Sequence, residues 1–237
     1  MARILIVLTS HTRLGDTGRE TGFYFDEMAP PYWALTDAGH EVEIASIAGG
    51  PAVHDPGSLH ADPAKQPEAV RRFLHDDAAM AKLSATRAIG TLDPSAYDAV
   101  FLPGGHGTMW DFAQTDALGT LVSVVWGKGG VVGAVCHGPA GLLGATKAGG
   151  APLVEGLRVA AFTDAEEIAV GLTEVVPFLL ETRLRAQGAI HEAAPDFAVH
   201  AVRDGRLVTG QNPASAEAVG RLMVEALREA SARVAAE

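Results

Sequence analysis

The 237-residue chain is 48% hydrophobic and carries 29 acidic against 18 basic residues, a formal net charge of −11. That length and apolar share can bury a substantial core, while the acidity and the lack of a basic tract interleaved with aromatics exclude nucleic acid and anionic membranes as expected partners. A single cysteine excludes an internal disulfide framework and disfavours a cysteine-based zinc site, so a reducing, cytoplasmic setting is expected.

The opening run Ile4-Leu5-Ile6-Val7-Leu8 is too short for a signal peptide and reads as a first buried strand over residues 3–9. Nowhere does an apolar stretch reach the roughly 18 residues of a membrane-spanning helix. A polar loop through Thr21-Gly22 leads to a helix predicted over 30–38, which Gly39 can end. The alternation Glu-Val-Glu-Ile-Ala-Ser predicts a strand over 41–46. Residues 49–67, rich in Gly, Pro, His and Asp, form an ordered surface loop or a small insertion, and 68–83 reads as a helix.

Residues 97–102 predict another strand, opening onto Pro103-Gly104-Gly105-His106-Gly107, and 108–128 has mixed helical character. Val131–Val135 is a further buried run, with another strand over 158–162. Segments 198–203 and 206–209 flank Asp204-Gly205, a hairpin signal, and a helix over 214–230 closes the pattern. Strands alternating with helices predict an α/β fold: a mainly parallel sheet flanked by helices on both faces, with its sites past the carboxyl ends of the strands. The expectation is a single domain over 1–237, with room for a small cap insertion within 49–95.

Three groups fall at those strand ends: the loop leading to Glu27, the Gly104-Gly105 loop, and Val135-Cys136-His137-Gly138-Pro139. An unpaired cysteine is commonly a small buried hydrophobe. Here Gly133 and Gly138 flank the thiol where a tight strand-to-helix turn needs small residues, Pro139 suits a first helical turn, and His137 supplies a base. A helix N-terminus at this point would favour the thiolate, and the N–H groups of Gly105 and His137 are candidates for an oxyanion site. The glycines match neither the dinucleotide nor the P-loop spacing. Glu27 is either a dipole partner at a helix start or, if packed on Cys136, one member of a pair that must keep a proton. His106 is either a turn residue or a substrate contact, and His191 a pocket or surface histidine, with the surface favoured. No metal-ligand signature occurs, so no metal and no cofactor are called for.

Glu27, residues 99–107, Ala134-Val135-Cys136-His137-Gly138-Pro139, Phe162-Thr163-Asp164-Ala165-Glu166-Glu167 and Thr209-Gly210-Gln211-Asn212-Pro213-Ala214-Ser215 together resemble the ThiJ/PfpI superfamily, which is class I glutamine amidotransferase-like. Residues 97–112 and 175–181 are most similar to its glyoxalase III and heat-shock chaperone branch. The resemblance implies a flavodoxin-like sandwich with Cys136 as nucleophile, His137 as its acid/base partner, Glu27 as the nearby carboxylate and Glu167 as the acidic third member, with Glu166 one position away. It further implies a glutathione-independent conversion of methylglyoxal or another small α-oxoaldehyde to a hydroxy acid through a cysteine hemithioacetal, and a homodimer. A protein deglycase or cysteine amidohydrolase would use the same parts. A stress-responsive holdase chaperone is the alternative of another class, in which the thiol is secondary or a redox sensor.

Overall fold

The computed structural model describes residues 1–234. The apolar run at the start becomes β1 (Arg3–Leu8), followed by α1 (Phe25–Asp37), β2 (Glu41–Ser46), α2 (Glu68–Leu74), α3 (Asp77–Ser84) and β3 (Arg87–Ala88). Next come β4 (Ala99–Leu102), α4 (Thr108–Asp111), α5 (Asp116–Gly127), β5 (Val131–Val135), β6 (Arg158–Val159) and α6 (Asp164–Ala169). The described chain closes with α7 (Leu180–Ala186), β7 (Ile190–His191), β8 (Ala201–Asp204), β9 (Leu207–Gly210) and α8 (Ala216–Val234).

Seven strands form one sheet in the order β3-β2-β1-β4-β5-β9-β8, and β6 pairs with β7 in a separate parallel ladder. Every pair of the large sheet is parallel except β8 with β9. The central strands read as unbroken apolar runs because both faces are covered. Ile4, Ile6, Leu8, Phe101 and Val131 enter the core shared with α1, α2, α3 and α8. Leu5, Val7, Val100, Leu102 and Val132 enter the opposite core, filled by Leu118, Leu121, Val122 and Val125 of α5 and Leu180 and Leu184 of α7. The flavodoxin-like α/β expectation therefore holds.

Several boundaries differ from the sequence expectation, each for a local reason. α1 begins at Phe25 rather than residue 30, and Pro30 and Pro31 lie inside it. Burial of Phe25, Met28, Ala29, Tyr32 and Leu35 offsets the hydrogen bonds those prolines cannot donate. The helix expected over 68–83 divides where Asp76 caps α3 by accepting from the Ala79 N–H at 2.9 Å. The strand expected over 158–162 pairs only at Arg158 and Val159; beyond it Ala160 N–H donates to Thr209 Oγ1 and Phe162 N–H to the Cys136 carbonyl. Within 49–95, α2 lies along α1, where Phe73 packs on Phe25, Tyr32 and Trp33, while β3 joins the sheet edge beside β2 and Ile89 and Leu92 enter the opposite core. Among the described residues no helix is long and apolar enough to cross a membrane.

The turn after β4 fixes the geometry of the sheet's carboxyl edge. A Cβ on Gly104 would lie 2.6 Å from Glu27 Oε2 and 2.7 Å from the His137 nitrogen, and Gly105 has φ +97 with its Cα facing the Gly22 carbonyl. Neither position has room for a side chain. Gly104→Ala is expected to cost about 1–3 kcal/mol by overpacking, read as a lower urea midpoint with an unchanged m-value; wild-type stability would show that the turn yields freely.

Candidate active site

β5 delivers Cys136 to the carboxyl edge of the sheet, beside the ends of β4 and β9. The Cys136 N–H donates to the Gly210 carbonyl at 2.9 Å, and its own carbonyl accepts from Phe162 N–H at 2.9 Å. Its φ of 59 is left-handed, a costly conformation for a residue with a Cβ. Past His137 the chain enters a short 3-10 segment, Gly138–Leu142. That corrects the expected helix start: no run of aligned α-helical peptides stands behind the sulfur to favour its anion. Burial and the neighbouring Glu27 carboxyl raise the Cys136 thiol well above the ordinary value, opposed by the His137 backbone N–H. At rest the sulfur keeps its proton.

An imidazole lies next to it. His137 Nδ1 is 3.3 Å from Cys136 Sγ, and His137 Nε2 is 2.8 Å from Glu167 Oε2. Glu167 Oε1 meets His106 Nε2 at 3.0 Å, so one carboxylate serves two imidazoles. Burial pushes Glu167 up, but the bonds from His106 and His137 outweigh it and bring the group down to about 2. An ionised carboxylate only accepts, so both Nε2 atoms carry hydrogen. Burial, followed by the nearby His106, lowers His137 to about 4. The neutral imidazole therefore turns a bare Nδ1 toward the sulfur.

The ambiguity between Glu166 and Glu167 is thereby decided by geometry in favour of Glu167. Glu166 instead closes a capping box with Thr163 and binds Asn212 Nδ2 at 2.9 Å and the Phe197 N–H at 2.7 Å. Its neighbour on α6 reaches the histidines because one step around a short helix changes the direction a side chain faces.

Glu27 sits in the first turn of α1 but is fully buried, and its Oε2 accepts the Gly104 N–H at 2.7 Å. Its Oε1 has no partner of good hydrogen-bond geometry, although Cys136 is close enough to couple to it. Burial raises this carboxyl to about 8 despite the opposing contacts from Cys136 and Gly104. Glu27 is thus a proton-bearing acid against the sulfur, not an ionised dipole partner at a helix start.

Cys136, His137, Glu27, Gly105 and His106 share a cavity of about 230 Å³ whose other walls are Tyr24, Phe162, Val170, Phe197 and Pro213. Sequence reasoning missed these walls, since no local pattern marks a residue as facing a distant strand end. His106, left open between turn and substrate contact, stands in the cavity with its ring 4.1 Å from that of His137. The expectation for His191 is corrected: it is buried in β7, with Nδ1 3.4 Å from Glu181 Oε1, and does not line the cavity. Donor atoms of His106, His137 and Glu167 lie within 4.8 Å of one another, but a cation could use them only by displacing both imidazole bonds to Glu167.

The profile of the DJ-1/PfpI family matches residues 21–226. The chain belongs to that family. It is 31% identical to Glyoxalase 3 of Candida albicans over 91% of its own length and 94% of that protein. It is 30% identical to a glutathione-independent glyoxalase of Saccharomyces cerevisiae, with 95% and 98% coverage. Among solved structures, the Rapid Encystment Protein of Francisella tularensis superposes with a TM-score of 0.90 at 33% identity, covering 96% of this chain and 99% of that one.

These shifts predict opposite pH effects on stability. From about 4.5 to 8 the folded chain keeps a Glu27 proton that the unfolded chain has released, so this group's contribution falls as pH rises through that window. His137, lowered from 6.5 to about 4, loses stability as pH falls between those values, and Glu167 does so between 4.5 and about 2. Between pH 6.5 and 8, below the range of the raised Cys136 thiol, Glu27 alone of these groups titrates, so the thermal midpoint should fall with rising pH there and Glu27→Gln should flatten that fall. A fall over the same window that persists in Glu27→Gln would contradict the buried, protonated carboxyl.

Proposed function

We propose that this chain is a cysteine-dependent, glutathione-independent glyoxalase that converts methylglyoxal, or another small α-oxoaldehyde, to the corresponding 2-hydroxy acid. The observation that carries this reading is the convergence on one sulfur of a neutral imidazole and a protonated carboxyl, His137 and Glu27, in a small cavity with apolar walls. The named activities of the yeast relatives support it.

The thiol of Cys136 gives its proton to His137 Nδ1 as the sulfur adds to the aldehyde carbon, forming a hemithioacetal. The N–H groups of Gly105 and His137 are assigned to the developing oxyanion, which then takes up a proton. His137, steadied by Glu167, removes the hydrogen of the former aldehyde carbon, and the electron pair moves toward the adjacent ketone to give an enediol. Glu27 gives its proton to the ketone oxygen as the enediol forms, the protonated His137 then delivers its proton to the former ketone carbon, and the hydroxyl proton on the sulfur-bearing carbon returns to Glu27, leaving a thioester of the 2-hydroxy acid on sulfur. Water cleaves that thioester, releasing the acid and restoring the thiol. The sum is one α-oxoaldehyde plus one water to one 2-hydroxy acid, with no external oxidant or reductant.

The second histidine is a positioning residue in this scheme. By sharing Glu167 and standing beside His137, His106 adds to the burial that lowers the catalytic imidazole, while the Glu167 bond at Nε2 leaves its Nδ1 bare.

Lactate formation from methylglyoxal without added glutathione tests the reading. Cys136→Ser should abolish turnover, and Glu167→Gln and Glu27→Gln should each lower kcat by about 10²–10⁴, the usual worth of a positioned acid or base. A wild type that makes no lactate but releases free amine from a glycated peptide would give the nucleophile to the deglycase reaction. Suppression of client aggregation that survives Cys136→Ala would favour the holdase reading.

His106→Leu removes the neighbour that depresses His137, so the acid limb of the kcat/KM profile should move to higher pH. An unmoved limb would leave His106 a mere wall of the cavity.

A further inference from the structure

Among the described residues, the non-glycine positions with positive φ are Cys136 (φ 59) and Phe197 (φ 60). Both line the same cavity. For Cys136 the chemistry explains the strain. Phe197 has no part in that chemistry, and its conformation is unfavourable for a bulky L-residue.

Phe197 is the third residue of a turn closed by Ala198 N–H donating to the Pro195 carbonyl at 3.0 Å. Asp196 keeps a negative φ, so this is the position where a type II turn favours glycine or asparagine. The residue is 49% exposed, and core burial therefore does not account for phenylalanine there. The turn is instead tied down by buried polar groups. Glu166, itself fully buried, accepts from the Phe197 N–H and from Asn212 Nδ2, and the same Asn212 nitrogen donates to the Ala198 carbonyl at 2.8 Å. So anchored, the Phe197 ring lies 6.3 Å from Phe162, whose ring is 4.4 Å from that of His137. Strain held in place by its surroundings at a ligand cavity points to function.

We propose that Phe197 is a specificity-determining residue: its ring, held at the Cys136 cavity by the Glu166–Asn212 anchor, favours α-oxoaldehydes whose ketone bears an apolar, above all an aryl, substituent over unsubstituted glyoxal. The inference deepens the glyoxalase reading and rests on it. With Phe162 and Val170, the ring offers an apolar surface to the substituent while the aldehyde carbon meets the sulfur.

The test compares kcat/KM for phenylglyoxal, methylglyoxal and glyoxal in wild type, Phe197→Gly and Phe197→Leu. In Phe197→Gly the phenylglyoxal-to-glyoxal ratio should fall about tenfold or more, equivalent to about 1.4 kcal/mol. Phe197→Leu, which keeps apolar bulk, should fall between the two. The melting temperature of Phe197→Gly should be no lower than that of wild type, since glycine accepts the left-handed backbone. An unchanged ratio, or one equal loss for all three aldehydes, would overturn the proposal, as would a variant that changes self-association while the ratio stays fixed. If the wild type forms no hydroxy acid, the rates of Cys136 alkylation by phenacyl bromide and by iodoacetamide read the same preference without turnover. A ratio of those rates that collapses in Phe197→Gly keeps the apolar selection while the glyoxalase reading fails; an unchanged one sinks both.

Discussion

A buried carboxylate stays ionised in this protein because two imidazoles spend their Nε2 hydrogens on it, and the arrangement around the nucleophile depends on that sharing. Glu167 is nearly solvent-free, so without those donors its charge would be costly to hold. Once the charge is held, the tautomer of His137 is set: hydrogen on Nε2, a bare Nδ1 toward Cys136. The imidazole need not compete with solvent for its orientation, since Phe162 and His106 flank the ring.

On the other side of the sulfur the logic is reversed. Glu27 is sealed in the core with a single good donor, the Gly104 N–H, and keeps its proton. Glu27 beside the sulfur and Glu167 behind His137 are thus pushed apart by the number of donors each receives, so that one carboxyl keeps its proton while the other stays ionised. Cys136 belongs to neither extreme. Its proton is held at rest by burial and by Glu27, so in the proposed reaction the thiolate forms as His137 accepts that proton.

The short helix α6 links this chemistry to the shape of the cavity. Its successive acidic residues divide the work: Glu167 faces the imidazoles, and Glu166 faces the turn that presents Phe197. Both are reached from one cap at Thr163, which places the helix directly after the segment that bonds to the Cys136 carbonyl. A displacement of α6 would therefore be felt in base orientation and cavity wall together.

Much of this architecture was legible in the amino-acid sequence. The short apolar runs at 4–8 and 131–135 read as strands covered on both faces, and the Asp204-Gly205 hairpin is written in its turn residues. The glycines around residues 104 and 138 and the lone thiol between strand and turn pointed to a site at the sheet's carboxyl edge. Local signals failed where long-range packing decided. Nothing near Pro30 shows that burial carries the helix back to Phe25, and nothing near Cys136 shows that the adjoining turn is 3-10 or that burial and Glu27 raise the thiol. Sequence determined which residues are apolar, which can turn, and which carry protons, because those are properties of single side chains and their immediate neighbours. Only the tertiary structure decided that Glu167 rather than Glu166 meets His137, that His106 shares its carboxylate, and that Phe197 stands at the same cavity. Those contacts join segments 30 to 61 residues apart, and their energies depend on burial that no local stretch of chain contains.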